Sequence, residues 1–184
     1  MSEAVVEPQA AGDLRYPVGK WDRQPAKDAA AVAAAIETIE ALPARLRAGV
    51  AGLDDAQLDT PYRPGGWTVR QLVHHVADSH INAYVRCKLA LTEERPAIKA
   101  YEEKLWAELP EARTAPVEVS LKLLEALHER WVLLLRAFGE ADLDRPYVHP
   151  EMGDMPLRAM LGMYAWHCRH HVAHVTTLRR RQDW

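Results

Sequence analysis

The segment Tyr-Ala-Trp-His-Cys-Arg-His-His-Val-Ala-His-Val occupies residues 164–175 and holds four of the nine histidines of this 184-residue chain. Apolar residues at helical spacing continue on both sides of it, which predicts a helix that runs to near the C-terminus. The residues that define this apolar stripe are Met160, Met163, Tyr164, Val175 and Leu178. Because each residue of a helix turns by about 100°, the four histidines share one face with the stripe. The pattern therefore predicts a core-facing helix that carries a histidine cluster.

Within this cluster, His167 and His171 lie nearest the centre of the apolar stripe, with His174 slightly to one side and His170 on the flank. Histidines four positions apart on a helix can direct their ring nitrogens at one ion. His167 and His171 are therefore predicted to be metal ligands. The alternative is a pair of core histidines bonded to backbone or carboxylate groups, which the two further histidines beside them disfavour.

Upstream of this helix, helical patterns recur along the chain, and strand signals are nearly absent. Thr68 and Gln71 have the spacing of a capping box, which predicts a helix that begins there and runs to about Leu91. Pro43 predicts a kink or short break in an Ala-rich helix that starts near Ala26. The signals for helix starts and stops thus divide the chain into several long helices.

The predicted order of elements indicates a helix bundle. Long helices are expected at about 26–53, 69–91, 117–138 and 157 to near the C-terminus, with a short helix at about 103–108 and a loop at 139–156. Prolines and a glycine without periodicity predict an extended N-terminal arm over residues 1–25. The chain is therefore predicted to be an all-α protein, a single four-helix-bundle domain over residues 1–184.

A third metal ligand is expected from a facing helix, because bundle sites are assembled from inward-pointing side chains of neighbouring helices. The second long helix offers His74, His75 and His80. His75 shares a face with a row that is too polar for ordinary core: Asp78, Ser79, Asn82 and Arg86. The alternative places that row in solvent and the opposite face in the core: Val69, Val73, Val76 and Tyr84.

Three neutral imidazoles suit one divalent ion per chain, Zn²⁺ or Ni²⁺, and leave an open coordination position, as catalytic metal sites do. The remaining histidines, His128 and His149, stand alone in ordinary surroundings and are predicted to be structural. The residue pattern thus predicts a catalytic metal centre on His167 and His171, with His75 as its third ligand if the polar row faces the bundle.

Charge and composition narrow the classes of function. The net charge is -3 with both signs mixed, which argues against a nucleic-acid partner because such a partner requires a concentrated basic face. No apolar run approaches the roughly 20 residues of a membrane-spanning helix, and residues 1–13 lack the apolar core of a signal peptide. Cys87 and Cys168 form no CxxC motif, so a reducing compartment is the simpler expectation. These features predict a cytoplasmic protein without a membrane partner.

Four segments of the chain resemble the DinB-like metalloprotein superfamily and, within it, the YfiT branch. They are LDTPYRPGGWTVRQLVHHVADSHINAYVR (58–86), LTEERPAIKAYEEKLWAEL (91–109), HERWVLLLR (128–136) and YAWHCRHHVAHV (164–175). In this family the first metal ligand opens an H-x-x-D sequence, which here corresponds to His75 followed by Asp78. The other two ligands are four positions apart on the last helix and correspond to His167 and His171. The resemblance thus implies the same pair as the helical spacing, His167 and His171, and adds His75 as the third ligand.

The resemblance also carries expectations about activity. Proteins of this kind are commonly labelled metal-dependent hydrolases, and relatives are understood as homodimeric transferases that join a low-molecular-weight thiol such as bacillithiol to a small electrophile. It favours thiol S-transfer, with Ser79, Asn82 and Arg86 available to bind carboxylates or a sugar of the thiol. One alternative is hydrolysis by a metal-bound hydroxide, although no glutamate lies beside His167 and His171 to act as a base. The other is a non-catalytic metal-binding dimer.

Overall fold

A computed structural model describes residues 13–184 and shows long helices joined by short elements. The helices are α1 (Ala29–Val50), α2 (Asp55–Leu58), α3 (Val69–Thr92), α4 (Glu103–Trp106), α5 (Pro110–Thr114), α6 (Val117–Arg136), α7 (Glu140–Leu143) and α8 (Leu157–Gln182). Two strands, β1 (Pro146–His149) and β2 (Gly153–Pro156), lie between α7 and α8. The predicted all-α four-helix bundle is confirmed. In the predicted arm, residues 13–25 form neither helix nor strand, and residues 1–12 lie outside the described residues.

The bundle consists of α1, α3, α6 and α8. Although α1 and α3 are consecutive long helices, each packs against α6 and α8. Large, fully buried side chains fill the core, chiefly Trp131, Tyr147, Ile39, Leu42, Leu46, Leu72, Leu124, Leu135, Leu157, Met160, Leu161 and Leu178. Burial of such side chains is the dominant favourable term in folding, and here it brings α3 and α8, the helices that carry the three predicted ligands, into contact.

Among the helices described in residues 13–184, none is long and apolar enough to cross a membrane. The long helices instead carry polar and charged side chains along much of their length. Their apolar residues form a single connected core cluster that draws on all four long helices. The helices are therefore held together by packing against one another.

The predicted capping box at the start of α3 is confirmed. The Thr68 hydroxyl accepts a hydrogen bond from the Gln71 backbone N–H at 3.1 Å, and the Gln71 side chain accepts one from the Thr68 N–H at 3.0 Å. The Gln71 amide also donates to the carbonyl of Ala107 at 2.7 Å. Gln71 thereby holds the end of α4 beside the first turn of α3, one turn before His75.

Helix α1 runs unbroken through Pro43, so the short break considered from the sequence is wrong. Proline has no N–H, and the carbonyl of Ile39, four residues earlier, therefore lacks its helical partner. The ring of His128 on α6 supplies the missing donor, with Nδ1 2.7 Å from the Ile39 oxygen. The buried carbonyl is thus satisfied across the interface between α1 and α6, and the helix continues.

The segment 139–156, predicted to be a loop, contains α7 and an antiparallel hairpin of β1 and β2. Gly153 begins β2 with φ of +72°, a conformation that favours glycine. The hairpin also fixes the connection that leads to α4, because Ile98 donates to the carbonyl of Val148 and Val148 donates to that of Pro96. A further short helix, α5, follows α4 and was not predicted. The sequence pattern thus missed the hairpin and the short helices α2, α5 and α7.

Candidate metal centre

The three predicted ligands converge where α3 meets α8. His75 lies on α3, and His167 and His171 lie one turn apart on α8. One ring nitrogen of each lies within 4.8 Å of one from each of the others. The Nε2 atoms of His167 and His171 are 3.1 Å apart, near the about 3.3 Å that separates two nitrogen ligands of a tetrahedral zinc ion. The structure therefore brings the three residues together, and their ligation of an ion stays a prediction.

Burial keeps these three imidazoles neutral. It lowers the pKa of His75 to about 4, with a smaller contribution from His170. It lowers the pKa values of His167 and His171 well below the ordinary value, and neighbouring histidines add to the effect. A neutral imidazole has a free lone pair, which is the form that binds zinc and similar ions. The donor set therefore fits a divalent ion held by three nitrogens.

A chain of hydrogen bonds, here called the histidine relay, connects Ile39 to the site through His128, His80 and His167. His128 Nε2 lies 2.9 Å from His80 Nδ1, and His80 Nε2 lies 3.1 Å from His167 Nδ1. Because the Ile39 carbonyl can only accept, a neutral His128 carries its proton on Nδ1. His128 Nε2 then accepts from His80, and His80 Nε2 accepts from His167. This leaves His167 with a free lone pair on Nε2, the atom nearest His171.

The relay histidines are themselves kept neutral by burial, which lowers the pKa of His128 to about 4 and the pKa of His80 well below its ordinary value. Hydrogen bonds of this kind fix the tautomer and ring orientation of a metal-ligating histidine. The bond to Ile39 agrees with the structural role predicted for His128, but the surroundings of His128 are not ordinary, since its ring joins α1 to the candidate metal centre. The signal available in the sequence was Pro43, whose position inside a helix leaves a carbonyl that needs another donor.

The polar row on α3 is largely buried. Ser79 and Arg86 are buried, and Asp78 and Asn82 are half-buried. Burial, with a contribution from Glu111, raises the pKa of Asp78 to about 6. The opposite, apolar face of α3 is buried as well, because α3 contacts both α6 and α8. The alternative that the polar row faces solvent is therefore wrong.

Two cavities meet at the candidate centre. The first cavity, of 780 Å³, is lined by the three histidines together with Tyr62, Arg63, Trp67, Glu103, Lys104 and Trp166. The second cavity, of 370 Å³, is lined by His167, Ser79, Arg86, Tyr101, His149 and Tyr164. Glu103 and Lys104 of α4 also line both. Of the three predicted ligands, here called the triad, only His167 lines both cavities.

Comparison with known proteins identifies the family. The profile of the DinB superfamily matches residues 38–175, a range that includes all three convergent histidines. This chain belongs to the DinB superfamily. The resemblance found in the sequence motifs is confirmed.

DinB relatives cover nearly the whole chain. A Bacillus cereus (strain 03BB102) protein named "Putative metal-dependent hydrolase" is 53% identical over 172 residues, which are 94% of this chain and 99% of the relative. A Bacillus mycoides (strain KBAB4) protein with the same functional name is 52% identical with the same coverage. The solved structure of YfiT from Bacillus subtilis, described as "a probable metal-dependent hydrolase with an unusual four-helix bundle topology", has a TM-score of 0.90 and 47% identity, covering 93% of this chain and 98% of YfiT.

The other histidines of α3 and α8 in this DinB chain have partners of their own. His74 Nδ1 lies 2.7 Å from the hydroxyl of Ser120 on α6. His170 and His174 meet through their Nε2 atoms at 3.0 Å, and His174 packs on Tyr62 with 4.1 Å between ring centroids. His74 is therefore tied to another helix, while His170 and His174 line the first cavity beside the triad.

We expect the variants His74→Ala and His170→Ala each to retain about one metal ion per chain. Neither residue belongs to the group of three whose ring nitrogens converge. Elemental analysis of each purified variant against the unaltered protein checks this. Loss of metal from His170→Ala alone would show that the ion uses the pair of His170 and His174 instead.

Proposed function

We propose that this chain is a metal-dependent enzyme that transfers a low-molecular-weight thiol of the bacillithiol type to a small electrophile. The observation that carries the proposal is the position of His167, which lines both the first and the second cavity. A reaction between two organic substrates needs two binding regions that meet at one reactive centre. Cavities of 780 and 370 Å³ lie within the range of small-molecule sites.

A divalent ion, Zn²⁺ or Ni²⁺, on His75, His167 and His171 would stabilise a thiol as its thiolate. The chain itself provides the surroundings that such a step needs. Trp67 packs on His75 with 4.6 Å between ring centroids, and Trp166 lines the same cavity. These indole rings supply apolar surface to the cavity wall beside the three histidines. Such surface would limit the water around a bound substrate.

The two cysteines of the chain are unsuited to act as the nucleophile. Cys87 and Cys168 are buried, and neither lines the first or the second cavity. Burial raises the pKa of Cys87 to about 12 and raises that of Cys168 as well. Both therefore stay protonated at neutral pH, whereas the reactive form is the thiolate. A reactive thiol would have to enter as a cosubstrate.

Hydrolysis is a second candidate, and a specific observation favours it. Glu103 on α4 lines the first cavity together with the three histidines, although the sequence places no glutamate beside them. Burial raises the pKa of Glu103, which makes its carboxylate a stronger general base. In this alternative Glu103 would take a proton from the water that attacks an ester or amide. The names of the Bacillus relatives, which describe metal-dependent hydrolases, agree with it.

A crossed assay tests the proposed transfer. Turnover of a chromogenic electrophile is measured with metal present or removed, and with bacillithiol, cysteine or no thiol. We expect turnover only when metal and thiol are both present. It should persist at a pH where the free thiol is mostly protonated, because an ion at the site lowers the pKa of the thiol.

The same assay identifies the competing functions. Metal-dependent cleavage of an ester or amide without thiol would replace the transferase proposal with the hydrolase. In that case Glu103→Gln should lower turnover by about a hundredfold or more, whereas Glu102→Gln, which changes a residue of the second cavity alone, should not. An intact metal site without turnover under any condition would instead indicate a metal-binding protein.

A further inference from the structure

Arg86 is a buried arginine without a protein partner in the described part of the chain. It lies on α3, about three turns beyond His75, and is 7% exposed. Within residues 13–184 its guanidinium makes no hydrogen bond and no salt bridge. Arg70, the other buried arginine of α3, pairs with both Asp55 and Asp59. The two arginines therefore differ in how their charge is compensated.

A mostly buried guanidinium loses much of its hydration, and this cost is normally offset by hydrogen-bonded anions. Arg86 instead lines the second cavity, whose nearby wall offers hydroxyl and imidazole groups from Ser79, Tyr101, Tyr164 and His149. Its charge is felt in this cavity, because it opposes the burial-driven rise in the pKa of Tyr164 and adds to the fall in the pKa of His149. The compensating anion is therefore expected to come from a ligand.

The acidic residues of the second cavity restrict what this anion can be. Glu102, Glu103 and Glu151 line the cavity, and none of them lies within ion-pair distance of Arg86. Their negative charges repel a doubly charged phosphate about twice as strongly as a singly charged carboxylate. A carboxylate therefore suits the cavity better than a phosphate.

We infer that Arg86 forms the floor of a subsite that binds the carboxylate group of a substrate. The planar guanidinium can bind a carboxylate through two parallel hydrogen bonds. Because His167 lines the same cavity, a molecule held at Arg86 would extend toward the predicted ion. The inference that a carboxylate binds here stands on the geometry of Arg86 alone. The further inference that this carboxylate belongs to the thiol cosubstrate rests on the proposed function.

Calorimetric titration of the zinc-loaded full chain tests the subsite with two thiols, 3-mercaptopropionate and its carboxylate-free analogue 2-mercaptoethanol. The unaltered protein should bind the first at least about tenfold more tightly, and Arg86→Gln should bind both equally. Arg86→Lys should recover part of the preference, because it keeps the charge without the planar fork. Arg63→Gln is the matched control in the first cavity and should keep the full preference.

Two further measurements separate this inference from the proposed function and from a structural role. The first is a titration of the metal-free protein with propionate and with propionamide, which requires neither metal nor thiol. A preference for propionate that is lost in Arg86→Gln would support the subsite even if the protein transfers no thiol. Thermal unfolding without ligand should show an unchanged or higher Tm for Arg86→Gln, because an unpaired buried charge is removed. A preference for carboxylate that survives in Arg86→Gln, or a clear loss of Tm, would overturn the inference.

Discussion

Replacing His167 and His171 together by alanine is expected to abolish metal binding and reduce turnover to the uncatalysed background. These side chains supply two of the three nitrogens that converge at the interface of α3 and α8. Bound metal should fall from about one ion per chain to near zero, because the remaining His75 cannot hold an ion against solvent. Each single alanine variant, including His75→Ala, should also lose most of its metal.

Elemental analysis of the purified variants measures the loss, and far-UV circular dichroism shows whether the helices remain. Alanine has the highest helix propensity, so the helical content should be kept. His74→Ala is the matched control, because it removes a buried histidine of α3 whose ring is bonded to Ser120 on α6. Full metal occupancy in the variant that lacks both His167 and His171 would contradict the site.

The candidate metal centre could be predicted from the sequence where it depends on geometry within one helix. The four-residue separation of His167 and His171 and the capping box at Thr68 are local features, and both match the structure. The orientation of α3 was left open, because either its polar row or its apolar face could meet the core. The packing of the helices resolves this, because α6 and α8 both contact α3 and together bury its polar row and its apolar face. The spacing of apolar residues along one helix cannot reveal that the helix packs against two others.

Features that depend on contacts between distant residues could not be predicted in this way. Ile39 and His128 are 89 positions apart, and His80 and His128 are 48 positions apart. Helical periodicity reports only on neighbours within one helix, so each relay histidine looks isolated. The hairpin was missed for a different reason. Its strands have four residues each, and prolines at Pro146 and Pro156 leave too short a stretch for alternation to show.

Breaking the histidine relay at His128 is expected to weaken zinc binding by about 10- to 100-fold while all three ligands remain. His128→Phe keeps a ring of similar size but removes the donor to the Ile39 carbonyl and the acceptor for His80. His80 is then free to carry its proton on Nε2, where it no longer accepts from His167. The Nε2 lone pair of His167 is consequently no longer fixed toward the ion. His128→Gln has an amide donor and an amide acceptor, so it should restore much of the affinity.

Competition with a chromogenic chelator measures the zinc affinity, and side-chain nitrogen-15 NMR reports the tautomer of His167. We expect a proton on Nδ1 of His167 in the unaltered protein and a mixture of tautomers in His128→Phe. His74→Phe is the matched control, because the bond of His74 to Ser120 does not reach the relay. Both variants should lose about 1–3 kcal/mol of folding free energy, since each leaves buried polar groups unpaired. Only His128→Phe should also change the zinc affinity and the tautomer, and equal weakening of zinc binding in both variants would show that the relay does not position His167.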